Sequence, residues 1–359
     1  MDLKARRSAM LDHFQEQAAF SDAYGSPFTA RLIERLAQDL IARGPVADLV
    51  GDWSGTPRAD AVALRLAGAL HAAALSGRDR ALAVEYPEQR GEWDMDRVWP
   101  LARALLAREK AWVADFISSP PQTNEVRRAI VLLLGFLTFA ELHAGPFDAF
   151  ELGASAGLNL AWDRFGYRTE SWTWGDLRGV PIDTRWTGPP PPLATTVQVR
   201  ARAACDLCPL DVRDVEQRLR LRSYIWADQV PRLARFDAAA SLAATEGVRV
   251  DRADAGPWLQ RKLEARSPDV GALVYHSVFL QYLNRESRRA LTATLEASAA
   301  RATEVAPLGW LRLEPEVVLG GPRASSRVLL DLITWPGGSR RILAATDGHA
   351  NWVEVLTAS

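Results

Sequence analysis

From Phe147 onward, apolar runs of strand length alternate with stretches of helical spacing, and this alternation limits the possible folds more than any other feature. FDAFELG leads into a helical stretch from Ser155, VQVRARAACD into one after Pro209, VRVDRADA into WLQRKLEA, and VGALVYHSV into RESRRALTATLEASAAR. APLGWLRLEPE, RVLLDLITW and RRILAATD complete the set. Strands alternating with helices predict an α/β fold with a mostly parallel sheet covered on both faces. Pro336, Gly337 and Gly338 join the last two runs, and so tight a connection predicts an antiparallel hairpin. The segment 166–195 does not fit the alternation. It holds Trp172, Trp174, Trp186 and four consecutive prolines, and reads as an insertion whose tryptophans form the core of a small hairpin.

The chain before this point reads as helices only. PFTARLIERLAQDLIARGP carries Leu32, Leu36 and Leu40 beside Ile33, Ala37 and Ile41 at helical spacing, and Gly44-Pro45 stops it. ADAVALRLAGALHAAAL and WPLARALLAREKAWVADFI supply two more helices. Thr123 or Asn124 is placed to cap a fourth, EVRRAIVLLLGFLTFAEL. The expected division is an all-helical region over 1–145 and an α/β domain over 146–359.

Charge excludes some partners. The net charge is −1, from 43 basic and 44 acidic residues, so no global field steers the chain to nucleic acid or an anionic membrane. The arginine-rich run over 200–222 is interleaved with acids and reads as a solvated face. The most apolar stretch, 129–140, is shorter than the ~20 residues that span a bilayer. MDLKARRSAMLDHF lacks an apolar core of signal-peptide length, and Cys205 and Cys208 offer no disulfide framework, so the expectation is a cytoplasmic protein. No second cysteine pair accompanies Cys-Asp-Leu-Cys and the five histidines lie far apart, so no metal site is expected.

The loop that ends the first strand, ELGASAG, has two incompatible readings. As Gly-x-Ser-x-Gly it makes Ser155 the nucleophile of a serine hydrolase, with His349 last in the required order. That elbow needs earlier strands of the same sheet, and everything before Phe147 is helical. As a glycine turn at a strand's carboxyl end it cradles a nucleotide-like ligand. The third glycine of Gly-x-Gly-x-x-Gly is missing, which disfavours a nicotinamide cofactor. The following strands end in Asp206, in Asp254, and in His276 with Ser277, so successive strands deliver polar groups to one rim.

Glu151-Leu-Gly-Ala-Ser-Ala-Gly157, Asp206 followed by Leu-Cys-Pro, Asp254-Ala255, and Val278-Phe-Leu-Gln-Tyr-Leu283 resemble the successive motifs of class I S-adenosylmethionine-dependent methyltransferases. The wider chain, with PRADAVALRLAGALHA, PPQTNEVRRA, CDLCPLDVRD and VYHSVFLQYL, resembles a bacterial family of unknown function numbered 2332 over nearly its full length. The methyltransferase resemblance implies a Rossmann-like, seven-stranded sheet whose last strand runs antiparallel. It implies S-adenosylmethionine as cofactor, with Glu151, Gly153, Ala154, Ser155 and Gly157 around its methionine part. Asp206 and Leu207 would meet the ribose, Asp254 and Ala255 the adenine, and His276 and Ser277 would close the rim. His276 is the candidate general base. Asn159, Trp162, Asp163 and Glu314 are candidates to touch the methyl acceptor, expected to be a small molecule. The alternative is the same fold binding a ligand or partner without catalysis. Each residue also has a purely structural reading: turn glycines at 153 and 157, helix caps at Asp206 and Asp254, and core packing at Asn159, Trp162 and Asp163.

Overall fold

The computed structural model describes residues 3–356. It divides into two compact units, one built from the chain up to Thr123 together with Arg213–Asp237, the other from Asn124–Val212 and the chain from Ala238 on.

The first unit is helical. In Pro27–Ile41, Pro27 takes the first helical position and the Ser26 hydroxyl accepts from Thr29 N at 3.4 Å. Its buried stripe of Phe28, Leu32, Ile33, Leu36 and Leu40 joins Leu66 and Leu70 of Val62–Leu75 in one core. The third predicted helix is two, Met95–Arg108 and Lys110–Ser118, interrupted at Glu109. The arginine-rich run is not simply a solvated face: Arg200 pairs with Asp148, Arg202 with Asp163, and Arg222 with Glu88. Its helix is Val215–Ser223, which begins at an Asp214 cap and not directly after Pro209. Arg222 reaches Glu88 and Asp237, and Asp228 accepts from Phe28 N at 2.9 Å, so this segment is part of the helical core.

The second unit is α/β. Its strands are β1 (Phe147–Leu152), β2 (Gly166–Arg168), β3 (Thr173–Trp174), β4 (Pro181–Asp183), β5 (Arg185–Thr187), β6 (Val199–Asp206), β7 (Asp251–Arg252), β8 (Gly271–Ser277), β9 (Leu308–Pro315), β10 (Val328–Trp335), β11 (Ser339–Thr346) and β12 (Trp352–Val355). The large sheet has nine strands in the order β5-β12-β11-β10-β9-β8-β1-β6-β7. The stretch from β7 to β9 is wholly parallel, while β9 to β12 pair antiparallel and β5 lies parallel to β12. All seven strands expected from sequence are there. The count rises to nine because β12 folds back after the turn at Asp347, and because the insertion lends β5 to the edge. The antiparallel part is therefore three pairings wide, where one terminal strand was expected.

The remaining insertion forms a small sheet, β3-β2-β4. Its tryptophans do pack as core, with Trp172 buried edge-on against Trp186 at 4.9 Å. Helix Ala129–Leu142 is buried along most of its length and covers one face of the large sheet, with Phe136 against Tyr275 and Phe139 against Phe147. Helices Ala255–Glu264 and Arg285–Ala299 cover the other, setting Leu259, Leu263, Leu291 and Leu295 against Phe150, Val274 and Leu308. Each of those leucines contributes about 1.5–3 kcal/mol by burial. Among the described residues no helix is long and apolar enough to cross a membrane.

Candidate functional site

β1 lies between β6 and β8, and the chain crosses to one side and later to the other. The loops that leave the carboxyl ends of β1 and β8 therefore diverge and open a crevice, the usual ligand position in such sheets. The 153–157 loop sits there. Gly153, Ser155 and Gly157 all take left-handed φ values, +65°, +55° and +70°. Only glycine adopts that region freely, so Ser155 is held there by its surroundings. Ala154 N donates to Cys205 O at 3.1 Å, and Ser155 N donates to an Asp206 carboxylate oxygen at 2.9 Å. The other Asp206 oxygen accepts from Cys208 N at 2.8 Å. Asp206 thus braces two loops, and each oxygen keeps a lone pair for a further donor.

The chain that follows does not run on as the α-helix expected from Ser155. It is a short 3₁₀ segment, Leu158–Arg164, bent at Ala161. Asn124, expected as a cap for its own helix, instead accepts from Leu158 N at 3.0 Å. Asn159 Nδ2 donates to Glu125 O at 3.4 Å. Ser155 Oγ and Asn159 Oδ1 are buried without a hydrogen-bond partner among the described residues. Two such groups in a loop this firmly braced are a deficit of about 1–3 kcal/mol each.

Glu151 is buried at the end of β1 and accepts from Tyr275 Oη at 3.2 Å. Burial pushes its carboxyl up to about 8, the Asp206 charge pushes it the same way, and the tyrosine bond opposes both. At neutral pH it is largely the uncharged acid.

The loop after β8 faces Gly153. Val278 holds φ +53°, rare for a β-branched residue, and its N–H donates to Leu313 O at 2.7 Å. The ring of Phe279 lies over Gly153, so close that a Cβ there would sit 2.3 Å from Cδ2. Gly153→Ala combines this overlap with left-handed strain of roughly 1–2 kcal/mol. We expect it to destabilise the unit by at least about 2 kcal/mol in urea unfolding. A loss under half that would show that Phe279 swings aside freely.

The remaining candidates fall into two groups. Asp254 caps helix Ala255–Glu264 by accepting from Gly256 N at 3.0 Å, and Leu207 is exposed; both stay close to Asp206, whose carbonyl accepts from Ala253 N at 3.0 Å. Ser277 ends β8, half-buried, at the same rim. The others are committed to partners within the unit. Trp162 stacks on Phe136 at 4.0 Å with rings nearly parallel. Asp163 forms a two-pronged pair with Arg202 at 2.7 and 2.8 Å. His276 and Glu314 are fully buried. Trp310 Nε1 donates to His276 Nε2 at 3.1 Å, which assigns the ring proton to Nδ1, 2.6 Å from Glu314 Oε1. In this arrangement neither imidazole nitrogen is free to take a proton from a substrate, and Glu314 has no surface with which to touch one. Among the described residues no imidazole lies within hydrogen-bond distance of Ser155 Oγ, as an activated serine would need.

Sequence reasoning gave no site role to Asn124, Tyr275 and Phe279, which shape the crevice. Tyr275 was legible only as an apolar strand residue, and Asn124 only as a helix cap.

No curated protein and no solved structure matches the chain. Residues 11–355 match the family described as an uncharacterized protein conserved in bacteria, domain of unknown function 2332, and the chain belongs to that family.

Proposed function

We propose that the α/β unit is a Rossmann-like methyltransferase domain that binds S-adenosylmethionine and methylates a small-molecule acceptor. The observation that carries this reading is the braced, left-handed 153–157 loop at the switch point between β1 and β8, tied by Asp206 at the end of the adjacent strand. The residues fit such a cofactor. Gly153 turns the loop beneath the Phe279 ring, the spare lone pairs of Asp206 suit ribose hydroxyls, and Asp254 with Ala255 would meet the adenine. Ser155 Oγ is a spare polar group in the same loop. When bound, the cofactor supplies an electrophilic methyl group. The protein's part is to hold it, exclude water and align the acceptor, which accounts for most of the effect in such transfers.

With both nitrogens of His276 engaged, the acceptor would lose its proton without His276 as its base. The same observation favours, as second reading, a protein that binds the ligand without transferring the methyl group.

Calorimetry with S-adenosylmethionine and S-adenosylhomocysteine tests the assignment. Saturable binding of both is expected, weakened at least about tenfold by Asp206→Ala through lost hydrogen bonds to a charged group. Absence of heat with either ligand at millimolar concentration rejects it. Labelling of Ser155 by a fluorophosphonate would reject it in favour of a hydrolase.

A further inference from the structure

The α/β unit contains a second polar cavity, of about 420 Å³, that none of the motifs above explains. Arg127, Arg168 and Arg185 line it, with Thr169, Thr184 and Asn351, and Glu170 and Asp183 complete the wall. Several arginines on the strands of the large sheet are claimed by carboxylates: Arg200 by Asp148, Arg202 by Asp163, and Arg312 and Arg340 by Asp331. Arg168 and Arg185 pair with no carboxylate among the described residues. Arg127 gives one nitrogen to the neutral side chain of Asn351 and keeps a buried Nε–H without a partner among the described residues.

The cavity is built rather than incidental. Asp347 accepts from His349 N at 3.0 Å and from Asn351 N at 2.9 Å, and holds the Asn351 side chain at 2.9 Å. Thr184 Oγ1 donates to Ala350 O at 2.7 Å, and Arg128 to Gly348 O at 3.0 Å. Ala350 takes φ +55° within this frame. Topology puts the cavity on the same rim as the 153–157 loop. β11 runs in the direction of β1, so the 347–351 turn lies at the carboxyl edge, and Arg185 begins the oppositely directed β5 at that edge. Asn124, bonded to Leu158 N, lies three residues from Arg127, a reach of at most about 11 Å along the chain.

We propose that this cavity binds the oxyanion group, carboxylate or phosphate, of a small polar metabolite. Guanidinium forks suit both groups, with two parallel N–H bonds to paired oxygens. Glu170 and Asp183 supply acceptors for hydroxyl or amino donors on the same molecule. Oxyanion binding requires no methyl donor, and its test uses none, so failure here and failure of the methyltransferase reading are separate outcomes.

The test titrates the full chain with inorganic phosphate and, separately, succinate, at constant ionic strength set with chloride so that general screening is held fixed. Saturable millimolar binding of at least one probe is expected, and which probe binds more tightly identifies the group. Arg168→Gln with Arg185→Gln changes two exposed side chains, so the thermal transition should stay in place while affinity falls at least about tenfold. Arg127→Met should have the same effect. The proposal is overturned if neither probe binds at tens of millimolar, or if binding survives the double substitution.

Discussion

Glu314→Ala is expected to cost the α/β unit about 3–5 kcal/mol, read as a fall in the urea midpoint of tryptophan fluorescence. One oxygen of this fully buried carboxylate accepts from His276 Nδ1, from Phe279 N at 2.8 Å and from Leu280 N at 3.1 Å. Truncation leaves three donors in the interior with nothing to accept them, and each orphan costs about 1–3 kcal/mol. It also opens a void beneath the loop that follows β8. Glu314→Gln keeps the volume and one oxygen acceptor while removing the charge, so about 1–2 kcal/mol is expected. The pair of variants separates charge from packing. Amide exchange gives an independent reading: Phe279 and Leu280 should lose protection in both variants, more in the alanine. A midpoint within about 0.5 kcal/mol of wild type for Glu314→Ala would mean that water already serves these donors.

This clamp marks the boundary of what the residues disclosed in order. The alternation after Phe147 was sufficient for the parallel sheet, because strands buried on both faces read as continuous apolar runs and helices between them read at a different period. Pro336 to Gly338 announced the β10–β11 hairpin through turn chemistry alone. Two-residue β7 and three-residue β5 are too short to carry any period, so one was overestimated and the other hidden in the insertion. The 213–237 segment was misjudged for a different reason. Its helical spacing is real, but spacing does not say which core a helix joins, and that is decided by Asp228 and Arg222 finding partners far away in sequence.

The site divides along the same line. Left-handed turns need glycine, so Gly153 and Gly157 were legible one residue at a time, and the acid at a strand end was legible by position. The partners of a polar side chain were not. His276 stands next to Ser277 at the end of β8, yet strand alternation turns its ring to the opposite face from Tyr275, into the core with Trp310. Glu314 and Asp163 resemble crevice acids in sequence and are, in the fold, counterparts of His276 and Arg202. An ionisable residue near a motif is therefore weaker testimony than a glycine within it.

Glu151 provides the sharpest connection between stability and the proposed ligand. Its folded carboxyl titrates at about 8, against 4.5 for an ordinary glutamate, with burial the leading cause. Below pH 4.5 both folded and unfolded states hold the proton, so the residue's contribution is complete there. As pH rises towards 8 the unfolded chain gives up its proton while the fold retains it, and stability falls by up to a few kcal/mol. Glu151→Gln cannot ionise and still accepts from Tyr275. It should match wild type near pH 5 and exceed it by at least about 1–2 kcal/mol at pH 9 in urea unfolding. Other titrating groups are common to both proteins, so the difference between the two curves isolates this carboxyl. Parallel curves would show that Glu151 is ionised in the fold. A neutral acid beside the 153–157 loop also makes ligand charge measurable. S-adenosylmethionine carries a sulfonium that S-adenosylhomocysteine lacks, and a cation beside Glu151 favours its ionised form. Binding of the former near pH 7 should release protons, seen as a dependence of calorimetric heat on buffer ionisation enthalpy, with less release for the latter and none in Glu151→Gln.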